Sequence, residues 1–159
     1  MPGSGKSTLG KEIATALLLP FVDLDHEIVM KESESVRVIF REKGEHYFRQ
    51  IESETLREWA GSDKSFVMAT GGGAPCFHNG MDVINTTGLS VFLDVPVNEL
   101  LTRLQNDQNR PLLNSSDIKE REQRLASLYE SRLKTYNLAK IKISNPTTKT
   151  MLEALHLKM

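Results

Sequence analysis

The chain has 159 residues, 39% of them apolar and 26% charged, with a formal net charge of −1. That length is one domain with room for a sizeable core, and the near-zero charge excludes bulk attraction to nucleic acid or acidic membranes. The single cysteine, Cys76, excludes an internal disulfide and fits a reducing cytoplasm, while no stretch approaches the ~20 apolar residues of a membrane span.

The chain opens on Gly3-Ser4-Gly5-Lys6-Ser7-Thr8, the closing half of a phosphate-binding P-loop, G-x-x-x-x-G-K-[ST]. The first glycine of that pattern would lie one residue before Met1, and a buried strand normally precedes it. The expectation is therefore a sheet that lacks its central first strand. Leu9, Ile13 and Leu17 then fall at i, i+4, i+8, a helix with one buried stripe that ends by Pro20. Phe21-Val22-Asp23 reads as a short strand, and Asp25 as the N-cap of the next helix, which continues through Ile28 to Lys31. Val36, Ile39 and Phe40 mark a further helix closed by Gly44, and Phe48, Ile51, Leu56 and Trp59 a long one to about Ala60.

Phe66–Ala69 is a buried strand followed by Gly71-Gly72-Gly73, and Leu89–Leu93 is another. Pro96 opens a helix carrying Leu100, Leu101 and Leu104. Residues 105–117 break the periodicity and read as a polar lid. A long helix over about Ile118–Tyr136, a strand at Ile141–Ile143, a turn at Asn145-Pro146 and a helix over Met151–Leu157 complete the chain. Short apolar strands alternating with amphipathic helices predict a three-layer α/β/α sandwich around a parallel sheet, with four strands visible and a mobile lid.

The candidate site residues each carry a plainer reading. The P-loop glycines turn backbone N–H groups toward phosphate, at the positive end of a helix dipole. Lys6 would reach the outer phosphates and Ser7 a Mg²⁺ ion; the plain reading is a glycine-rich turn. Asp23 and Asp25 stand at the carboxyl edge of a strand, where parallel sheets bind ligands, or they only cap a helix. Arg49, between Glu45 and Glu52, is a substrate cation or a surface ion pair. Three consecutive glycines carry a large entropic cost, so a ligand approaches the backbone there. Arg110, beside Pro111, would close over the γ-phosphate. Arg103 and Arg132 have surface readings, His26, His46, His78 and His156 show no metal spacing, and Cys76 reads as a small apolar filler.

Taken in order, these segments resemble shikimate kinases, small-molecule kinases of the nucleoside-monophosphate-kinase-like P-loop class. The resemblance rests on Gly3–Thr8, Phe21–Asp25, Ser35–Phe40 with Gly44-Glu45, Phe48-Arg49 and Glu52, Thr70–Ala74, Arg110–Leu113, and Arg132 with Tyr136 and Ala139. It implies ATP-dependent phosphorylation of the 3-hydroxyl of shikimate in aromatic amino-acid biosynthesis. Gly3, Ser4, Gly5, Lys6, Ser7 and Thr8 would bind ATP, with Ser7 and Asp23 serving Mg²⁺. Asp25 would take the acceptor hydroxyl, and residues 25–60 would form the shikimate-binding helical segment. Arg49 and Arg132 would clamp the carboxylate, and Gly71, Gly72 and Gly73 would offer backbone groups. Arg110 would stabilise the transferring phosphoryl, while Arg103 and Pro146 would flank the adenine. The spacing leaves Arg124 open as an alternative to Arg132. A gluconate kinase, or an inactive binding module lacking its first strand, stands as the alternative function. A monomer is expected.

Overall fold

The strands are three or four residues long, too short to be stable without packing against helices. The computed structural model describes residues 1–104 and 118–156. In chain order its elements are α1 (Lys6–Ala16), β1 (Phe21–Asp23), α2 (Leu24–Glu32), α3 (Val36–Glu42), α4 (Gly44–Ala60), β2 (Val67–Ala69), a 3-10 turn (Ala74–Cys76), α5 (Gly80–Thr87), β3 (Val91–Asp94), α6 (Val97–Leu104), α7 (Ile118–Tyr136), β4 (Ile141–Ser144) and α8 (Thr148–His156). The lid expected over residues 105–117, with Arg110, lies outside the described residues.

The strands form two parallel pairs rather than one continuous sheet. β1 pairs with β2 in the register Val22↔Met68, and β3 pairs with β4 in the register Phe92↔Lys142. A cavity of about 630 Å³ separates β2 from β3 and is lined by residues of both.

Alternation along the strands distributes the core between two helical layers. Val67, Val91, Leu93, Ile141 and Ile143 pack with Ile13 of α1 and Met151 of α8. Met68 faces the other side, joining Leu24, Ile28, Ile39, Phe48 and Leu56 of α2–α4. Phe92 joins Leu100 and Leu104 of α6 and Leu125 and Tyr136 of α7. The expected three layers are present.

Three local expectations change. Asp25 is not the cap of α2. Asp23 is: its backbone is extended, and its carboxylate accepts the Asp25 amide at 3.1 Å, which moves the helix start two residues earlier. Gly44 does more than close α3. At φ +82° it turns the chain and becomes the first residue of α4. Helix α5 was not anticipated, because its apolar residues Met81, Val83 and Ile84 are few and sit between glycines.

Candidate active site

The nucleotide half is set by backbone geometry at the start of α1. Gly3 and Gly5 have φ of +73° and +88°, a region that disfavours other residues. Gly3 also leaves no room for a side chain, since a Cβ would come 2.9 Å from Leu104 Cγ. Gly5 stands at the N-cap with no side-chain cap, so the first amides of α1 remain available to an anion. Ser4 is buried, and its hydroxyl donates to the Met1 carbonyl at 2.9 Å. The Lys6 ammonium donates to the same carbonyl at 2.8 Å. Thr8 is exposed on the first turn. Arg103 reaches back from α6: one guanidinium nitrogen donates to the Gly3 carbonyl at 3.3 Å and another pairs with Glu99. Its place beside the loop is thus shared with the P-loop backbone. Pro146 sits in the turn between β4 and α8, a helix that packs on α1, the P-loop helix.

Ser7 and Asp23 meet at the edge of this loop. The Ser7 hydroxyl donates to Asp23 Oδ2 at 2.7 Å, while Asp23 Oδ1 holds the Asp25 amide. Mg²⁺ is a hard cation that takes one or two protein oxygens and completes its shell with phosphates and water. A hydroxyl and a carboxylate already in hydrogen-bond contact are a donor set of that kind, so these residues fit the ion.

The second half is built around the three glycines after β2, and each makes room for a different group. A Cβ at Gly71 would lie 2.6 Å from Glu52 Oε1 and 3.1 Å from Asp25 Oδ1. One at Gly72 would lie 3.1 Å from Arg132 Nη1 and 3.4 Å from the Tyr136 hydroxyl. One at Gly73 would lie 2.9 Å from Arg49 Nη2, and nearer still to the rest of that guanidinium. Asp25, Arg49, Arg132 and the triple glycine are therefore brought together. The same loop adjoins the P-loop, since Met1 Cα would sit 3.8 Å from that Gly72 Cβ.

Both arginines are buried, at 5% and 7% exposure, which removes the surface reading for each. Arg49 pairs with Glu52 at 2.8 Å and with Glu45 at 3.1 Å, and it stacks over Phe40, Phe48 and Phe77. The Phe77 ring centroid is 4.6 Å from its Cζ, within cation–π range. Arg124 instead lies half exposed and pairs with Glu120 one turn away. Of the two arginines left open by spacing, Arg132 is the one at the glycines.

Sequence reasoning gave no role to Glu52 or Tyr136. Glu52 is almost fully buried; one oxygen holds Arg49, and Oε1 has no hydrogen-bond partner. Burial pushes its carboxyl above the usual range, and the Arg49 charge only partly opposes that. Its i+3 spacing from Arg49 was legible; its burial was not. Tyr136 donates to the Gly72 carbonyl at 2.6 Å. Burial raises its phenol to about 12, so it remains a donor at neutral pH. Cys76 packs against the α6–α7 core as expected of a filler, and burial raises its thiol.

A family model described as shikimate kinase matches residues 2–157. A shikimate kinase of Sulfurihydrogenibium sp. (strain YO3AOP1) is 42% identical over 142 residues, covering 89% of this chain and 82% of the relative. One of Persephonella marina is 42% identical over 144 residues, covering 89% and 83%. Among solved structures, shikimate kinase from Acinetobacter baumannii in complex with shikimate superimposes with a TM-score of 0.90 at 34% identity, over 99% of this chain and 88% of that one. The Aquifex aeolicus enzyme gives 0.82 at 33% identity, over 98% and 92%. On the family match and on this extent of identity, the chain belongs to the shikimate kinase family.

Proposed function

We propose that this chain carries out the reaction its family is named for, transfer of the γ-phosphoryl of ATP to the 3-hydroxyl of shikimate. The observation that carries this reading is the convergence of two buried arginines and Asp25 on one glycine loop beside the P-loop. Two guanidinium forks suit a carboxylate, which each can bind through paired hydrogen bonds. Burial strengthens that attraction, and the rigid aromatic shelf under Arg49 limits the entropy lost on binding.

In this arrangement ATP lies along the first turn of α1. The Gly3–Thr8 amides and Lys6 hold its phosphates, and Arg103 flanks the base together with Pro146. Ser7 and Asp23 would hold Mg²⁺, whose chemistry there would be to neutralise phosphate charge. Arg49 and Arg132 fix the acceptor by its carboxylate, and Tyr136 holds the Gly72 carbonyl in place. Asp25, exposed and beside Gly71, accepts the hydrogen of the attacking hydroxyl and aligns it with the γ-phosphorus. Arg110 would compensate charge on the transferring group. Placement and charge compensation supply most of the rate.

We assign the chain to the cytoplasm, which suits its unpaired Cys76, and to a monomer. An ADP-release assay with Mg²⁺·ATP and a panel of shikimate and gluconate tests the reading. Turnover that depends on shikimate is expected. Turnover with gluconate in its place, or no turnover with either, would refute it.

A further inference from the structure

Phe77 is the nearest of the three rings around Arg49, and it differs from the other two in origin. Phe40 and Phe48 come from α3 and α4, and they pack on each other with centroids 4.6 Å apart. Phe77 comes from beyond the glycine triplet, just after the 3-10 turn. Its centroid is 4.6 Å from Arg49 Cζ, against 5.2 Å for Phe48 and 5.7 Å for Phe40. The ring is also 38% exposed. A phenyl left in water over a buried guanidinium is not where the hydrophobic effect alone would put it.

Backbone that costs free energy holds the ring there. His78 and Asn79 follow Phe77 with φ of +50° and +59°, a region that side chains disfavour. Asn79 stands at the N-cap of α5 without capping it through its side chain. The Gly80 amide closes the turn by donating to the Phe77 carbonyl at 2.9 Å. Gly80 has no room for a side chain, since a Cβ would lie 1.8 Å from the Ala74 carbonyl oxygen. The strained pair is clamped from α4, two turns along from Arg49: Arg57 Nη2 donates to the His78 carbonyl at 2.6 Å, and its Nη1 to the Ser53 carbonyl at 3.3 Å.

This placement answers a competition at Arg49. Its Nε and Nη2 both donate to Glu45 Oε1, at 3.2 and 3.1 Å, and the Glu45 side chain is half exposed. A carboxylate arriving at that edge competes with Glu45 for it. Phe40 and Phe48 belong to the same helical block as Arg49 and Glu45, so they do not tie the guanidinium to the glycines. Phe77 does, from the segment that the glycines begin. A π face also attracts the cation without using any of its N–H donors, which stay free for a ligand.

The geometry points to Phe77 as a positioning residue for the acceptor: its ring pins the Arg49 guanidinium beside the glycine triplet, so that the fork serves an acceptor carboxylate in preference to Glu45. The inference rests on the reading of Arg49 as the carboxylate's partner.

Two variants separate a ring that positions Arg49 from one that only covers it. Phe77→Leu keeps apolar bulk and removes the π face; Phe77→Tyr keeps the face. Binding of shikimate, of its carboxamide and of ATP is measured by calorimetry on the 159-residue chain, with steady-state kinetics alongside. Phe77→Leu should raise Kd and KM for shikimate about 3- to 30-fold, the loss of one cation–π contact. Its kcat at saturating shikimate and its Kd for ATP should stay within about 2-fold of the parent, since only uniform acceptor binding is removed. Phe77→Tyr should restore shikimate binding to within about 2-fold of the parent. For the carboxamide, which lacks the charge that Arg49 reads, Phe77→Leu should change Kd by less than about 2-fold. Equal shikimate binding by the parent and Phe77→Leu would overturn the role of Phe77 and leave the site reading intact. An equal loss for shikimate and its carboxamide would also overturn it, because the ring would then act on shape and not through Arg49. A parent chain that neither binds nor turns over shikimate would refute the site reading and this inference together.

Discussion

The guanidinium of Arg49 occupies the volume in which any side chain at Gly73 would begin. Gly73 has an ordinary φ of −86°, so its backbone would accept most residues. What excludes them is the arginine, 2.9 Å or less from where a Cβ would stand. Gly73→Ala should therefore act on the acceptor site alone. The expected outcome is a rise of at least ~10-fold in KM for shikimate, about 1.4 kcal/mol, with KM for ATP unchanged. Steady-state kinetics against each substrate checks it, and equal losses for both would contradict the placement of Arg49.

Arg49 and Glu52 form a buried pair whose members are worth little without each other. Removing one leaves an uncompensated charge, at a cost of about 3–5 kcal/mol. Arg49→Met and Glu52→Met should each destabilise by that order, and the double variant by much less than their sum. Urea denaturation of the three variants gives the coupling directly. A double variant as unstable as the sum would mean that the pair does not hold itself together.

The raised carboxyl of Glu52 makes stability depend on pH in a defined direction. The folded chain keeps this proton to higher pH than the unfolded chain does. Between the ordinary carboxyl value and the higher folded one, the folded state holds more protons, so stability falls as pH rises. Glu52→Gln cannot titrate. Relative to it, the parent should lose stability as pH climbs through that window and then run level. Denaturation at half-unit steps from pH 4 to 8 measures the difference, and a gap with no slope would remove Glu52 as its source.

Arg124 and Arg132 lie two turns apart on helix α7 in different settings. Arg132→Ala should raise KM for shikimate at least ~10-fold, whereas Arg124→Ala should change neither KM nor stability by more than ~0.5 kcal/mol, as for an exposed i,i+4 pair. Reversed effects would restore the assignment that the spacing left open.

Lys6→Ala should lower kcat by at least ~100-fold, the loss typical of one preorganised charge-stabilising group. Circular dichroism and a cooperative melt should remain, because the Lys6 ammonium contacts a carbonyl at the loop rather than the core. A kcat within a few-fold of the parent would exclude Lys6 from the phosphates.

The P-loop, the two aspartates and the glycine triplet were legible because each departs from what local structure requires. Three glycines exceed a turn's needs, and the space that their missing side chains leave is filled by Asp25 of α2, Arg49 and Glu52 of α4, and Arg132 and Tyr136 of α7. The cap exchange between Asp23 and Asp25 was not legible, since either residue satisfies the pattern and only the extended backbone of Asp23 decides it. Nor was the burial of Arg49 and Glu52. At i and i+3 beside Glu45 they look like a solvated network; the phenyl rings that cover Arg49 come from positions 40, 48 and 77, two of them on other elements. Helix α5 was missed because a short stripe between glycines gives little periodicity to read.

Met1 is almost completely buried, and its neighbours Phe92, Val95, Leu100, Leu104, Leu125 and Tyr136 lie far along the chain. The nucleotide loop thus leaves the ribosome well before the segments that surround it. At about 5–20 residues per second, on the order of ten seconds pass between synthesis of Lys6 and synthesis of Tyr136. During that interval the loop lacks the packing that Leu125 and Tyr136 of α7 supply. The nascent chain should therefore gain affinity for ATP in a single late step, once the end of α7 has cleared the exit tunnel.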